Sequence, residues 1–440
     1  MRVHQFRTIF SENQVCISGS CFSAKTFFGA KTFFGAKTLF SAKTLFSAKT
    51  LFSAMTLFFA VRTYKLKGPP LLQNRALPAP RDRHGLCPSS ARNNRCRASQ
   101  ISGPGGSGLS RRRTRRLSGG VYEALHEAGI EPDWVIGTSI GAINGAIIAG
   151  NEVPERLARL RAFWERVESR PPWNDTPWGK LVSHAAAYWN TLLGGIPGYF
   201  APNSAVEWGP NAPVGVEHAA FYTTDGLRKT VAELVDIERV KARKPRLTVG
   251  AVNVRTGKMH YFDSRTIPIM LDHVLASAAV PPGFPAIRID GDPYWDGGLY
   301  SNTPVEVVFD DNPRHDSVVF SVQIFPIAGP EPESLLQVFS RQKDIAFASR
   351  ADSHIPRQEH IHQLRHMVRE LVRMMPDEQR ESPAVKEIAA YGCGTIMHII
   401  RLNAAPLERE DYLRDIDFSP EAIHKRWLAG YADTRRTLEQ

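Results

Sequence analysis

The sequence predicts an α/β fold with a mostly parallel central sheet, continued by a largely helical C-terminal extension. Three observations carry this expectation. From Val121 onward, short apolar runs alternate with segments of helical period, the pattern of a sheet covered by helices. One such run, Trp134-Val135-Ile136, passes through a turn of small residues directly into a helical stretch beginning at Ile140. Upstream of about residue 117 neither period is present, so the folded body begins there.

Charge divides the chain at the same place. Residues 1–116 hold 21 Lys/Arg against two acids, Glu12 and Asp82, whereas the remainder holds 34 against 42. The formal charge of +11 therefore belongs to the N-terminal region, and it does not mark the body as a nucleic-acid binder. Four of the five cysteines also lie upstream, leaving Cys393 alone in the body, with no disulfide framework and no metal-type spacing. This usage fits a reducing compartment, so a cytoplasmic protein is expected, with a peripheral position at a membrane left open. No apolar run reaches the ~18 residues of a membrane span. The longest, around Thr50 to Val61, carries no convincing cleavage site, and no targeting role is assigned to it.

Along the chain, residues 21–60 repeat every six, with lysines at 25, 31, 37, 43 and 49 and Met55 in the next place. So few copies of so short a unit stack too little core for a solenoid. Residues 67–120 are rich in Pro, Gly, Arg and Ser, a disordered or linker composition. Val121, Leu125 and Ala128 mark a helical face that Gly129 ends, and the strand Trp134–Gly137 follows. Helices are expected over 154–169 and about 177–193. Residues 194–222, rich in Gly, Pro and Asn and carrying Tyr199, Phe200 and Trp208, read equally well as a lid or lipid-contact surface and as a packed loop. A helix over 225–235, strands at 247–253 and 258–262 joined through Arg255-Thr256-Gly257, and a helix over 268–279 come next. Thr303, Pro304 and Glu306 spell a capping box. A strand at 318–325, long amphipathic helices over 333–376, a last strand at 395–402 and a helix opening at Ser419-Pro420-Glu421 complete the order.

The chemistry-bearing stretch is Gly137-Thr138-Ser139-Ile140-Gly141. A serine on a sharp strand-to-helix turn needs small residues on either side, and the following helix N-terminus favours a developing negative charge. Ser139 is thus a candidate nucleophile; the alternative is a serine that merely caps its helix. Asp296 is the candidate base, with Gly297 and Gly298 letting its backbone pass close to a partner. A carboxylate with an ordinary pKa of ~3.9 is a poor base, so Asp296 needs a desolvated site. His315 follows Asp296 in the Ser-Asp-His order of α/β-hydrolases and offers a triad instead. His360, His362 and His366 have helical spacing without nearby carboxylates, so no metal site is expected there.

Gly137-Thr138-Ser139-Ile140-Gly141, the run Ala276-Ser277-Ala278-Ala279-Val280-Pro281-Pro282-Gly283-Phe284-Pro285, and Asp296-Gly297-Gly298 stand in the order and spacing of patatin-like phospholipases, which this chain resembles over about residues 119–330. Residues 331–440 resemble the helical extension of a bacterial branch of that family. The resemblance implies a three-layer fold and a Ser/Asp dyad without histidine, cofactor or metal. In it Ser139 attacks an acyl ester, and Asp296 takes the proton and later activates water. The implied substrate is a lipid or membrane-surface ester.

One part of the family pattern is absent. A Gly-Gly-Gly-x-x-Gly loop, whose backbone N–H groups form the oxyanion hole, is represented only by Gly119-Gly120 behind an arginine run. With suitable codons, Arg111–Gly119 shifted by one base reads Gly-Gly-Ala-Leu-Gly-Ala-Tyr-Gln-Ala, close to the missing loop. The expected organisation is a low-complexity or frame-shifted region over 1–116, a hydrolase domain over 117–330 and a mainly helical extension over 331–440. The expected function is lipid acyl hydrolysis of phospholipase A or esterase type. The alternative is a catalytically impaired protein that binds a membrane surface.

Overall fold

The computed structural model describes residues 15–17, 20–22, 55–62, 117–169, 191, 193–301, 303–403 and 418–440. Residues Met1–Ala48 form one compact unit, in which Val15–Ile17 and Ser20–Phe22 pair antiparallel. Lys49–Gln440 form the other and contain everything that follows.

The second unit opens with β1 (Met55–Arg62), then α1 (Leu117–Glu127), β2 (Trp134–Ser139), α2 (Ile140–Ala149), α3 (Val153–Arg166) and α4 (Asp225–Leu234). The chain continues through β3 (Arg246–Asn253), β4 (Met259–Asp263), α5 (Leu271–Ser277), β5 (Ile287–Ile289), β6 (Asp292–Asp296) and β7 (Ser317–Gln323). It ends with α6 (Leu335–Met374), β8 (Met397–Asn403) and α7 (Pro420–Leu438). The strands form one eight-stranded sheet in the order β8-β7-β1-β2-β3-β6-β5, with β4 paired to β3.

The α/β class and the helical C-terminal region are as expected; the strand directions are more mixed than a mostly parallel sheet. Only β2·β3 and β7·β8 run parallel. The β3·β6 pair is antiparallel as well, and two causes account for the other antiparallel pairs. The tight connections β3–β4 and β5–β6 are too short for a crossover and force antiparallel pairing. The slot between β2 and β7 is filled by β1, which runs antiparallel to both. Sequence patterning assigns this segment no place in the sheet.

Local chemistry explains most of the other elements. Gly129 leaves α1 at φ 73°, the left-handed value that ends a helix without Cβ strain. All ten residues of α2 are buried, as its Ile, Ala and Gly composition allows, and it packs against β1, β2 and β3. The single 40-residue α6 opens with a reciprocal cap: Ser334 Oγ accepts from Gln337 N (3.3 Å) and Gln337 Oε1 accepts from Ser334 N (3.1 Å). Ser419 caps α7, accepting from Ala422 N at 3.3 Å. The expected capping box at Thr303 does not form. The short helix there begins at Glu306, whose Oε1 accepts from the Tyr261 hydroxyl (2.5 Å), so the carboxylate is taken by a tertiary partner. The helix expected over 177–193 falls largely outside the described residues.

At the start of β2 and β3 a buried ion cluster fixes the sheet. Arg246 binds the carboxylates of Asp263 and Asp311, which also receives Arg265, and its guanidinium lies 3.5 Å from the Trp134 ring centroid. Two cations face two anions, so neither carboxylate is left uncompensated in the core. Tyr199 and Phe200 are buried in an aromatic cluster with Tyr222, Phe284 and Phe418, whereas Trp208 of the same loop stands 79% exposed. Among the described residues no helix is long and apolar enough to cross a membrane.

Candidate active site

The site is built at the end of β2. Ser139 adopts φ 57°, ψ −128°, a conformation that costs a non-glycine residue of order 1–3 kcal/mol and persists only where its surroundings enforce it. The close return of the chain is what demands glycine at 137. A Cβ there would lie 2.3 Å from the carbonyl group of Gly141, inside van der Waals contact. Ser139 makes no side-chain capping bond to α2, so its hydroxyl is not used as a helix cap. Thr138 and Ile140 on either side are buried.

Sheet register explains how residues 157 positions apart meet. Gly137 stands opposite Val249, so the β2·β3 register continued by two residues sets Ser139 opposite Ala251. Ala251 in turn stands opposite Asp296 on β6. Register partners share a face of the sheet, and alanine between them leaves the space open. Asp296 Oδ1 accepts from Gly298 N at 2.7 Å, and its own N–H donates to Ala279 O at 2.9 Å. Its Oδ2 is buried without a closed hydrogen bond. Gly297 is dictated by approach to the neighbouring strand, because a Cβ would come within 2.3 Å of Gly250 O.

Burial pushes the Asp296 carboxyl up to about 8. The Ser139 hydroxyl and the Gly298 N–H favour the ionised form, but they offset only part of that desolvation. A carboxyl in this range exchanges protons near neutrality, as a general base must.

The other residues singled out in the sequence lie elsewhere. Gly119 and Gly120 occupy the first turn of α1 and face α7: a Cβ on Gly119 would lie 1.9 Å from the Trp427 ring, and one on Gly120 2.0 Å from Trp427 O. Helix packing accounts for both glycines, in place of an oxyanion loop. His315 is at the wrong end of the sheet. It precedes Ser317, which stands opposite Arg62, whereas Ser139 stands opposite Met55. Seven residues of strand separate those rows, roughly 23 Å. His362 and His366 hydrogen-bond through Nε2 to Thr395 O (3.0 and 2.9 Å) and hold the segment leading into β8. Among the described residues no three His, Cys, Asp or Glu side chains converge on a point where a metal ion could sit.

Comparison with known proteins adds to this geometry. Residues 116–309 match the family model described as "Patatin-like phospholipase", and residues 345–440 match a second, described as "Patatin phospholipase". The chain belongs to the patatin-like phospholipase family. A curated relative of this patatin-like chain is a "cGAMP-activated phospholipase" of Pseudomonas aeruginosa, 33% identical over 103 residues. That match covers 22% of the chain and 31% of the relative, so the chain spans about a third of the length of that protein. A crystal structure of VipD from Legionella pneumophila aligns with 74% of the chain and 65% of its own at 15% identity, with a TM-score of 0.26, too low to bear on the site.

Two contributors to the patatin-like site were not assigned a role from sequence. Ser277 donates and accepts beneath the Ser139 turn, and although it lies in the run Ala276–Pro285 that carries part of the family resemblance, nothing there distinguished its hydroxyl. Arg350, on α6, donates from Nη1 to Gly298 O (3.1 Å) and Leu299 O (2.9 Å), behind Asp296. Nothing in its local sequence marked it.

Proposed function

We propose that this chain is a lipid acyl hydrolase, of phospholipase A or esterase type, acting through a Ser139/Asp296 dyad. The observation that carries the reading is the pairing of a strained, uncapped serine with a fully buried carboxyl whose pKa lies near 8. In the first step Asp296, as carboxylate, accepts the hydroxyl proton while Ser139 Oγ bonds to the ester carbonyl carbon. Collapse expels the alcohol, which takes the proton back from Asp296, and an acyl-enzyme remains. Water then adds to the acyl carbon with Asp296 again accepting the proton, and the fatty acid leaves as Ser139 regains its hydrogen. The N-terminus of α2 carries no side-chain cap, and its first backbone N–H, that of Ile140, is the donor this reading assigns to the developing oxyanion. The substrate is an ester presented at a lipid surface; the division at 117 and 330 into N-terminal region, hydrolase and extension belongs to the same reading as a functional one, since β1 and β8, from either side of it, share the hydrolase sheet.

A second reading has an observation in its favour. Gly119 and Gly120 are packed against Trp427, and the slot beside β2 is filled by an antiparallel strand, so among the described residues no glycine loop beside β2 supplies a second oxyanion donor. Loss of one donor costs about 10²–10³ in rate. An impaired protein would keep lipid binding without turnover.

Fluorophosphonate labelling of the full chain beside Ser139→Ala separates the two. Labelling lost in the variant supports the hydrolase. A folded wild-type chain that takes no label, yet sediments with lipid vesicles, supports the binding protein.

A further inference from the structure

The parallel ladder between β2 and β3 is registered as far as Gly137 opposite Val249. In a parallel pair the next rung of this register would run from the Ser139 N–H to the Gly250 carbonyl. That direct bond is not made. The Ser139 N–H instead donates to Ser277 Oγ at 3.1 Å, and Ser277 Oγ–H donates to Gly250 O at 2.6 Å. A single hydroxyl, itself fully buried, is thus spliced into the rung where β2 leaves the sheet.

The splice sits at a mechanically decisive place. Ser139 has left the extended conformation of its strand, and its N–H is received by the Ser277 hydroxyl in place of the Gly250 carbonyl. Without a bridging group, both that N–H and the Gly250 carbonyl would be buried and unpaired, or the turn would relax to close the rung directly. Relaxation is blocked on the far side as well. Gly250 O is pressed against Gly297, and a Cβ on Gly250 would meet Met259, Tyr261 and Thr138. The same carbonyl therefore touches the chain carrying Asp296 and, through one hydroxyl, the backbone of Ser139. Ser277 ends α5, whose buried residues His273, Val274, Leu275 and Ala276 fix where its hydroxyl lies.

Resting on the hydrolase reading above, we propose that Ser277 is a positioning residue for the Ser139 nucleophile: its hydroxyl holds the nucleophile turn open against β3, so that Ser139 Oγ faces Asp296. Ser277 touches neither substrate nor reacting atoms, and its effect reaches the chemistry through the backbone.

The test compares wild type, Ser139→Ala, Ser277→Ala and Ser277→Thr as full chains, by fluorophosphonate labelling rate, by hydrolysis of a short-chain ester, and by amide hydrogen exchange of the peptide containing Ser139. A displacement near 1 Å at a reacting group costs about 10²-fold. The expected result is a fall in kcat and labelling rate of roughly 10- to 100-fold in Ser277→Ala with KM within about twofold, faster exchange at Ser139, and rescue by Ser277→Thr, which keeps the hydroxyl. Wild-type rates in a folded Ser277→Ala overturn the proposal, as does a loss carried by KM or one that Ser277→Thr shares equally. If Ser139→Ala labels as wild type does, the hydrolase reading falls and the catalytic consequence with it. That outcome differs from failure of the bridge alone, in which wild type labels at Ser139 and Ser277→Ala matches it.

Discussion

Arg350 and Gly298 lie 52 residues apart, and the guanidinium of the first donates to the carbonyl of the second at 3.1 Å. The bond joins the long C-terminal helix to the turn that follows Asp296. A charged donor of this kind contributes about 1.5–3 kcal/mol when well formed. Arg350→Ala is expected to lower unfolding stability by about 1–2 kcal/mol and to reduce ester hydrolysis by a larger factor than Arg373→Ala, whose side chain pairs only with Glu370 on the surface. Urea denaturation and initial rates on the three chains check this; equal rates in both variants would separate α6 from the site.

The buried Asp296 sets two opposite pH dependences. As a base it must be ionised, so kcat/KM should rise with pH through an acid limb near 8. Stability runs the other way. The folded-state pKa is raised above the unfolded value, so the fold binds the proton more tightly, and its advantage is full below pH ~4 and lost as pH climbs toward 8. The local slope approaches ~1.4 kcal/mol per pH unit. Asp296→Asn should abolish turnover and lack that slope. Parallel thermal melts of the two chains between pH 5 and 8 would show it, and coincident melting profiles would refute a neutral buried Asp296.

Much of this site was legible in the sequence, and what escaped shares a physical cause. The elbow at 137–141 and the Asp-Gly-Gly turn announce themselves because their glycines are demanded by backbone approach, which leaves a local signature. Most strands and helices of the body were placed to within a few residues because each carries its own period. Ser277 and Arg350 act across 138 and 52 residues through a few hydrogen bonds to backbone groups, and no local pattern encodes such a partner. The Thr303 box failed for the same reason: Tyr261, 45 residues upstream, took the glutamate. β1 was missed because the six-residue repeat it closes reads as low complexity, and its own run Leu-Phe-Phe-Ala-Val lacks the alternation that marks a half-buried strand.

The Arg246 cluster predicts a large stability loss without a direct effect on chemistry. Arg246→Met removes the cation shared by Asp263 and Asp311, leaving one of them uncompensated in the core. The cost should be about 3–5 kcal/mol. Chemical denaturation checks it, and the variant that also replaces Asp263 by Asn should recover part of the loss.

Trp208 offers a readout of lipid contact. It is 79% exposed in the same loop as the buried Tyr199 and Phe200, and an exposed indole is suited to a polar–apolar boundary. Trp208→Ser should weaken sedimentation with phospholipid vesicles several-fold while leaving hydrolysis of a soluble ester unchanged. Unaltered sedimentation would assign the loop to packing alone.

The antiparallel strand at the centre of the sheet also sets a timetable for biosynthesis. Met55–Arg62 leaves the ribosome long before either neighbour, since β2 begins at Trp134 and β7 only at Ser317. At about 5–20 residues per second, roughly 250 residues of further synthesis separate this strand from its second partner, or about ten seconds to a minute. Throughout that interval Met-Thr-Leu-Phe-Phe-Ala-Val, uncharged and free of proline, has the makeup of a self-associating segment. The waiting time of its central strand is thus expected to limit production of this protein in cells, and slowing of translation or depletion of holdase chaperones should cost yield before any loss of stability in the finished fold is measurable.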